Sequence, residues 1–244
     1  AGKSTLLNLI TYKLFPTSGR ILVDGENVVE NDKALSKIYC MTEKNLYYES
    51  AKIKDIYKWT KSFYPDFDMD YAIQLAEKFE LNLNKKTKEL STGYGSIFKI
   101  IIALACNAPI ILLDEPVLGL DANHREMFYK ELLANYIAKP RIIVISTHLI
   151  EEIADIIEQV IIIKKGELIM NQDIESVLAL GYSVSGVGGK VDEFAKDKQV
   201  LGVDTLGGLK TAYIMGQVDH ATIDKDLEVS KLDLQKLFIK LTNA

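Results

Sequence analysis

The chain has 244 residues, and its 29 lysines and arginines against 34 aspartates and glutamates give a formal net charge of −5. Apolar residues make up 48% of it and charged residues 26%, a composition that supports a sizeable core and excludes wholesale disorder. A mildly acidic chain has no overall positive charge with which to bind nucleic acid, so we expect no nucleic-acid partner. The sequence still leaves room for a local basic patch.

Membrane and secretion signals are not evident in the sequence. The longest unbroken apolar run, residues 100–106, has seven residues, whereas a membrane-spanning helix needs about 20. The start of the sequence does not show a charged segment followed by an apolar stretch and a small-residue cleavage site. We therefore expect no signal peptide and no membrane span. The two cysteines, Cys40 and Cys106, lie in apolar contexts, which favours buried thiols in a reducing compartment over a disulfide.

The sequence begins with Ala1-Gly2-Lys3-Ser4-Thr5. Phosphate-binding loops follow the pattern G-x-x-x-x-G-K-[ST], and Gly2, Lys3 and Ser4 match its last three positions. An accidental Gly-Lys-Ser at the start of a helix is the alternative. In a real loop Lys3 reaches the β- and γ-phosphates and the Ser4 hydroxyl binds Mg²⁺, and we then expect the strand that delivers the loop to precede Ala1.

The first half of the chain has both helix and strand patterns. An amphipathic helix is predicted over 2–14, and Pro16 with the following Thr-Ser-Gly cluster ends it. Strands are predicted over 20–23, 27–29 and 37–41, and helices near 54–64 and 69–79. Eight of the chain's 21 aromatic residues lie between Tyr47 and Tyr71. This cluster indicates the core of a small helical subdomain or a surface that docks a partner, and the two are compatible.

The second half alternates apolar strands with helices. Helices are predicted over 90–106 and 122–136, strands over 110–113 and 141–146, and a hairpin over 160–163 and 168–170. Fully apolar strands between helices indicate a parallel sheet covered on both faces. After about residue 180, frequent glycines predict an α+β appendage of short strands and one short helix. Its Gly188-Gly189-Lys190 run is predicted as a turn, because Val191 stands where a phosphate loop needs serine or threonine.

The strongest chemical signal is an apolar strand that ends in two carboxylates, Asp114 and Glu115. The carboxyl edge of a parallel sheet is where such sheets bind ligands. Asp114 is suited to hold Mg²⁺, and Glu115 points differently and can polarise an attacking water. The alternative is a strand that ends in an acidic turn, which the following Gly119-Leu120-Asp121 disfavours.

Two further positions complete a possible phosphate site. Ser91, in Leu90-Ser91-Thr92-Gly93-Tyr94, is either only a helix N-cap or a hydroxyl that contacts a phosphate held by another subunit, with Gly93 allowing close backbone approach. His148 directly follows a predicted buried strand. A histidine there is usually structural, but it can also donate to a γ-phosphate oxygen or orient a water.

In their order and spacing these motifs resemble the ATP-binding subunits of ABC transporters, over residues 1–170. Residues 1–5 match the end of Walker A, and residues 90–94 match the signature, usually LSGGQ. Asp114 and Glu115 match the Walker B aspartate and catalytic glutamate, residues 119–121 the D-loop, and His148 the switch histidine. The sequence departs from the family at Thr92 and Tyr94, in place of glycine and glutamine, and at Glu43, in place of the Q-loop glutamine.

The resemblance implies an α/β fold: a P-loop NTPase (RecA-like) core with a parallel sheet, a helical subdomain and a small C-terminal α+β appendage. We assign residues 1–45 and 92–180 to the core, whose N-terminal part is expected to precede Ala1. Residues 46–91 form the helical subdomain that leads to the signature, and residues 181–244 form the appendage.

The resemblance also implies the site and its ligands, ATP and Mg²⁺. The implied catalytic residues are Glu115, His148 and Lys3. The implied nucleotide-binding residues are Ala1, Gly2, Lys3, Ser4, Thr5, Ser91, Gly93 and Asp121. The implied metal ligands are Ser4, Asp114 and Glu43.

The implied function is ATP hydrolysis that powers a separate membrane permease, through ATP-driven pairing with a second ABC ATPase subunit, identical or different. The chain would then lie peripherally at the cytoplasmic face of the membrane. Residues 229–238 resemble the closing helix of bacterial export-type ATPases, which favours export over import. The alternatives are a partner ATPase subunit with weak hydrolysis and a non-transport ABC ATPase. DNA-acting relatives carry long coiled coils between Walker A and the signature, whereas only 88 residues separate Lys3 from Ser91 here.

Overall fold

The structure is a computed structural model that describes residues 2–219 and 223–243. The chain forms two compact units: Lys3–His148, and the chain from Leu149 onward together with Gly2. The domain boundaries drawn from the sequence stay a prediction. Among the described residues, no helix combines the length and the apolar character needed to cross a membrane.

The first unit alternates helices and strands in chain order. Its elements are α1 (Lys3–Ile10), β1 (Leu22–Val23), β2 (Glu26–Asn27), α2 (Asp32–Leu35), β3 (Ile38–Met41), α3 (Ile53–Phe63), α4 (Met69–Lys78), a short 3₁₀ turn (Thr87–Glu89), α5 (Thr92–Ala105), β4 (Ile110–Asp114), α6 (Ala122–Ala138) and β5 (Ile142–Ser146). The pattern confirms the predicted α/β class. Element ends differ from prediction by a few residues, most at α1, where Tyr12 adopts a left-handed φ of +55° before the predicted end.

A parallel three-stranded sheet in the order β3-β4-β5 lies at the centre of this unit and confirms the predicted sheet. The middle strand β4 is almost fully buried, as its unbroken apolar sequence requires. Helix α5 buries ten of its 14 residues, so it is an interior helix. It begins at Thr92 because the Ser91 side chain accepts a hydrogen bond from the Tyr94 backbone N–H.

The second unit contains an antiparallel hairpin and an antiparallel sheet. Its elements are α7 (Ile150–Ile153), β6 (Gln159–Lys164), β7 (Glu167–Asp173), α8 (Ile174–Leu178), β8 (Gly181–Val187), α9 (Gly188–Ala195), β9 (Val200–Leu206), β10 (Leu209–Met215), β11 (Glu228–Lys231) and α10 (Leu234–Asn243). Strands β6 and β7 pair with each other, and the sheet has the order β11-β8-β10-β9.

Three local predictions for this unit were wrong. The Gly188-Gly189-Lys190 run begins helix α9 instead of forming a turn, since the apolar side chain of Val191 is buried in the core on that helix. The described part of the appendage therefore has two helices, α9 and α10, instead of one. The tail over 229–238 is not one helix, because Val229 pairs with Val184 in the sheet and the helix begins only at Leu234.

Candidate nucleotide site

The end of strand β4 places two carboxylates in different surroundings. Asp114 is buried, and its Oδ1 accepts a hydrogen bond from Ser146 Oγ at 2.9 Å, because the two residues are register partners on β4 and β5. Glu115 takes a left-handed φ of +48°, a strained conformation for a residue other than glycine. This turn separates the two side chains and directs them differently, as the sequence analysis expected.

The Glu115 carboxylate lies between two basic side chains. Lys3 Nζ is 3.3 Å from Glu115 Oε1 and also donates to the Thr147 backbone oxygen at 3.1 Å. His148 Nδ1 is 2.9 Å from Glu115 Oε2. Lys3 and Glu115 are 112 positions apart in the sequence, so only the fold brings them together. The structure thus brings the three predicted catalytic side chains together, with Lys3 and His148 on the carboxylate of Glu115.

The other predicted Walker A positions surround the start of α1. Gly2 has a φ of +106°, a conformation that favours glycine. Ser4 and Thr5 are exposed in the first turn of α1, so both hydroxyls are accessible to a ligand. Ala1, also predicted to bind nucleotide, lies outside the described residues.

The predicted magnesium ligands are a hydroxyl, Ser4, and two carboxylates, Asp114 and Glu43. Among the described residues no group of three or more His, Cys, Asp or Glu could hold a metal ion. Magnesium is usually bound through one or two carboxylates with nucleotide phosphates and water. These oxygen donors therefore fit a magnesium ion that arrives with a nucleotide, and they do not form a metal cage of their own.

The signature residues lie at the first turn of α5, against the loop that follows β4. A Cβ placed on Gly93 would stand 2.5 Å from the Gly119 backbone oxygen, so only glycine fits this contact. Gly119 itself has a φ of +77°. The same loop leads to Asp121, the N-cap of α6, whose side chain accepts hydrogen bonds from the backbone N–H of His124 at 2.9 Å and pairs with its Nδ1. The backbone hydrogen bond lowers the pKa of Asp121 most, and the side-chain pairing with His124 lowers it further.

One charged residue of this region, Lys99, was not predicted from the sequence. It is the single charged residue of helix α5, only 7% exposed, and its Nζ donates to the backbone oxygens of Thr42 at 2.8 Å and Glu43 at 2.7 Å. Burial lowers the pKa of Lys99, and the charge of Glu43 opposes that effect. A cavity of about 220 Å³ is lined by Lys99, Glu43, Ser91 and Glu115 among others. The signal that could have revealed it was a lysine flanked by the apolar residues Phe98 and Ile100 in a helix with no other charge.

Comparison with known proteins shows which family the first half of the chain resembles. Residues 1–118 match the family described as "ABC transporter". The ABC transporter ATP-binding protein YtrB of Bacillus subtilis (strain 168) is 29% identical over 72% of this chain, and this chain spans 61% of that protein's length. A putative ABC transporter ATP-binding protein of the same organism, AlbC, is 27% identical over 74% of this chain and 77% of its own length.

Solved structures agree with the sequence relatives. The ATP-binding cassette MJ0796, described as a dimer in a post-hydrolysis state with ADP and phosphate, is 26% identical with a TM-score of 0.60, over 71% of this chain and 81% of its own. An ATP-binding subunit of an ABC transporter has a TM-score of 0.65 at 20% identity, over 72% of this chain and 75% of its own, and so supports the fold. Residues 1–118 of this chain therefore resemble an ABC-type ATPase domain. The predicted fold, a P-loop NTPase core, is thereby confirmed.

The aromatic cluster between Tyr47 and Tyr71 lies partly in the core and partly at the surface. Tyr57 and Phe67 are buried, whereas Tyr48, Trp59 and Phe63 are 78%, 48% and 78% exposed. The exposed rings line a groove of about 500 Å³ together with neighbouring apolar and polar side chains. Both expectations for the cluster therefore stay compatible: its inner rings pack the helical segment, and its outer rings are exposed, so a partner surface there stays a prediction.

Proposed function

We propose that this chain binds ATP with Mg²⁺ and hydrolyses it as the ATP-binding subunit of an ABC transporter. The observation that carries the proposal is the meeting of Lys3, Glu115 and His148 at the end of β4. Relatives named as ABC transporter ATP-binding proteins support the transport role.

Each of the three side chains has a role that its chemistry allows. Lys3 binds the β- and γ-phosphate oxygens, which stabilises the charge that develops during phosphoryl transfer. Lys3 contacts Glu115 Oε1 in this structure. Once Lys3 takes a phosphate oxygen as its partner, Oε1 can accept a hydrogen bond from the attacking water and orient it. His148 lies on the other carboxylate oxygen and donates to the γ-phosphate.

Magnesium, when bound, neutralises phosphate charge. Ser4, Asp114 and Glu43 would hold it. Because Asp114 Oδ1 is engaged by Ser146 Oγ, Oδ2 is the oxygen of that carboxylate that we assign to the ion or to its water shell. Gly2, Thr5 and Ala1 complete the phosphate-binding loop in this proposal.

ATP joins two subunits in this proposal. Ser91 and Gly93 of one subunit contact the γ-phosphate bound by the other, and Asp121 lies at the same interface. The Ser91 oxygen accepts from the Tyr94 N–H, which leaves the hydroxyl hydrogen available to a phosphate oxygen. ATP then favours the paired state because it binds that state better. The dimeric MJ0796 structure, bound to ADP and phosphate, supports pairing as a family behaviour.

A membrane permease is the second partner. The groove that exposes Tyr48, Trp59 and Phe63 fits an apolar or aromatic segment of such a permease, which would keep the chain at the cytoplasmic face of the membrane. We propose export as the direction of transport. The tail helix α10 supports that choice through its resemblance to the closing helix of export-type ATPases, now restricted to residues from Leu234 onward.

A partner subunit with weak hydrolysis is the second candidate. Three departures from the family pattern favour it: Thr92, Tyr94 and Glu43. The Tyr94 ring contacts the His124 ring edge-on at 6.0 Å, so this side chain is engaged within its own subunit. A subunit whose signature side chain is engaged in this way could bind ATP without efficient turnover.

The test compares the full-length protein with its Glu115→Gln variant. We expect phosphate release by the variant to fall by roughly 10²–10⁴-fold, the usual contribution of a general base, while Mg-ATP still binds. Light scattering should show the mass of the variant doubling on addition of Mg-ATP. Unchanged turnover in Glu115→Gln would refute the role of Glu115. Wild-type turnover that stays near background with and without a permease would instead favour the weak partner subunit.

A further inference from the structure

Lys99 is buried at a position where packing alone would favour an apolar residue. Its neighbours Phe98 and Ile100 on helix α5 are fully buried, and Lys99 itself is 7% exposed. Burying an ammonium group is costly unless hydrogen bonds replace its water shell. Here the backbone oxygens of Thr42 and Glu43 supply two of them, at 2.8 and 2.7 Å. Burial of the lysine therefore costs stability, and its ammonium group binds these two carbonyl groups.

The segment that Lys99 holds is also fastened to α5 by the preceding side chain. The Phe98 ring meets the Tyr47 ring edge-on at 5.0 Å, and the Tyr47 hydroxyl is 3.1 Å from that of Tyr39 on β3. Residues 42–47 are thus attached to the signature helix at both ends. This segment carries the Glu43 carboxylate and leads to the aromatic groove.

The same helix is attached to the loop that follows Glu115. Ser96 Oγ donates to the Leu118 backbone oxygen at 2.7 Å, and Gly93 packs against Gly119. Helix α5 therefore contacts the chain on both sides of the cavity that Glu43 and Glu115 line. The Lys99 contacts therefore join one side of this cavity to the helix that also contacts the other side.

We propose that Lys99 is a positioning residue that holds the Thr42–Glu43 backbone against the signature helix and thereby sets the place of the Glu43 carboxylate in the nucleotide site. The consequence for turnover rests on the proposed ATPase function. The consequence for the 42–47 backbone does not, because it follows from the two hydrogen bonds alone.

The first experiment compares Lys99→Met, Lys99→Arg and the control Lys130→Met in the full-length protein. Lys130 is an exposed lysine of α6 that pairs with Glu126, so its loss should change nothing. Charge-assisted hydrogen bonds are stronger than neutral ones, so Lys99→Met should lower kcat for Mg-ATP by about tenfold and change KM by less than about threefold. Lys99→Arg, which keeps the charge and the donors, should retain more activity than Lys99→Met.

Hydrogen exchange gives a readout that does not depend on turnover. The amides of residues 43–47 should exchange faster in Lys99→Met than in the wild type, with the urea midpoints of the two proteins compared to separate this effect from global loosening. If Lys99→Met does not fold, Lys99→Gln, which is neutral but keeps a donor, takes its place. Wild-type exchange and wild-type kcat in the folded variant would overturn the proposal.

A double-mutant cycle tests whether Lys99 acts through Glu43. If it does, Lys99→Met should have little further effect on kcat in a Glu43→Ala background. Effects of the two substitutions that simply add would overturn the positioning role. A wild-type protein that does not hydrolyse ATP would refute the proposed function, whereas the exchange of residues 43–47 would still decide the inference on Lys99.

Discussion

Replacing Gly93 with alanine tests the close contact between the signature helix and the loop after β4. The new Cβ would stand 2.5 Å from the Gly119 backbone oxygen, and real Cβ atoms do not approach a neighbour closer than 3.0 Å. The two backbone segments must therefore separate by about 0.5 Å or more, since no flexible side chain can give way. The matched control is Gly95→Ala on the same helix, where a Cβ would meet nothing within 4 Å.

The two substitutions should change stability in opposite directions. Overpacking of a tight site costs about 1–3 kcal/mol, and alanine gains at most about 1 kcal/mol over glycine in a helix. Gly93→Ala should then lower the free energy of unfolding by up to about 2 kcal/mol, while Gly95→Ala should leave it unchanged or raise it by up to about 1 kcal/mol. The helix gain is common to both variants, so Gly93→Ala should be less stable than Gly95→Ala by about 1–3 kcal/mol.

Urea unfolding followed by tryptophan fluorescence measures both effects. Trp59 is the single tryptophan of the sequence and belongs to the same unit as Gly93, so it reports on that unit. Equal midpoints for Gly93→Ala and Gly95→Ala would refute the close contact with Gly119. A loss of stability in Gly93→Ala without a change in the control would support it, whatever the role of Gly93 in binding phosphate.

Two further predictions concern buried polar groups. The Tyr57 hydroxyl is buried with no hydrogen-bond partner in the described part of the chain, so Tyr57→Phe should raise the free energy of unfolding by up to about 1 kcal/mol, and a clear loss in urea unfolding would contradict this. Burial raises the pKa of the Cys106 thiol from its usual 9.0 to about 11. The folded state therefore holds this proton more tightly, and the stability linked to it is complete below pH 9 and lost as the pH rises through about 11. At pH 8.5 iodoacetamide should label Cys106 only after denaturation, as mass spectrometry of the peptides would show, and rapid labelling of the native chain would contradict the burial.

Local sequence was sufficient for the elements that depend on nearest neighbours. The apolar run before Asp114 predicted a buried strand that ends in two carboxylates, because such a run is stable only inside a sheet covered on both faces. Ser91 was recognisable as a helix start, since its side chain can accept a hydrogen bond from the backbone three residues on. The family resemblance added the order of the motifs and with it the candidate site.

Two predictions for the second unit were wrong because tertiary packing outweighed local sequence preferences. The family resemblance placed residues 229–231 in a closing helix, yet they form strand β11, which pairs antiparallel with β8. Gly188 was predicted to lie in a turn, but burial of Val191 in the core of the second unit makes the segment helical. Intrinsic preferences are weak compared with such packing.

The sequence by itself determined which chemical groups this protein has and which of them end a strand or begin a helix. Tertiary structure alone decided which groups meet. Lys3 and His148 reach the same Glu115 carboxylate although they lie 112 and 33 positions from it. The two carbonyl groups that Lys99 binds lie 57 and 56 positions away in sequence. Contacts over such separations carry no local signature, because they arise only when the parallel sheet and the interior helix α5 have packed together.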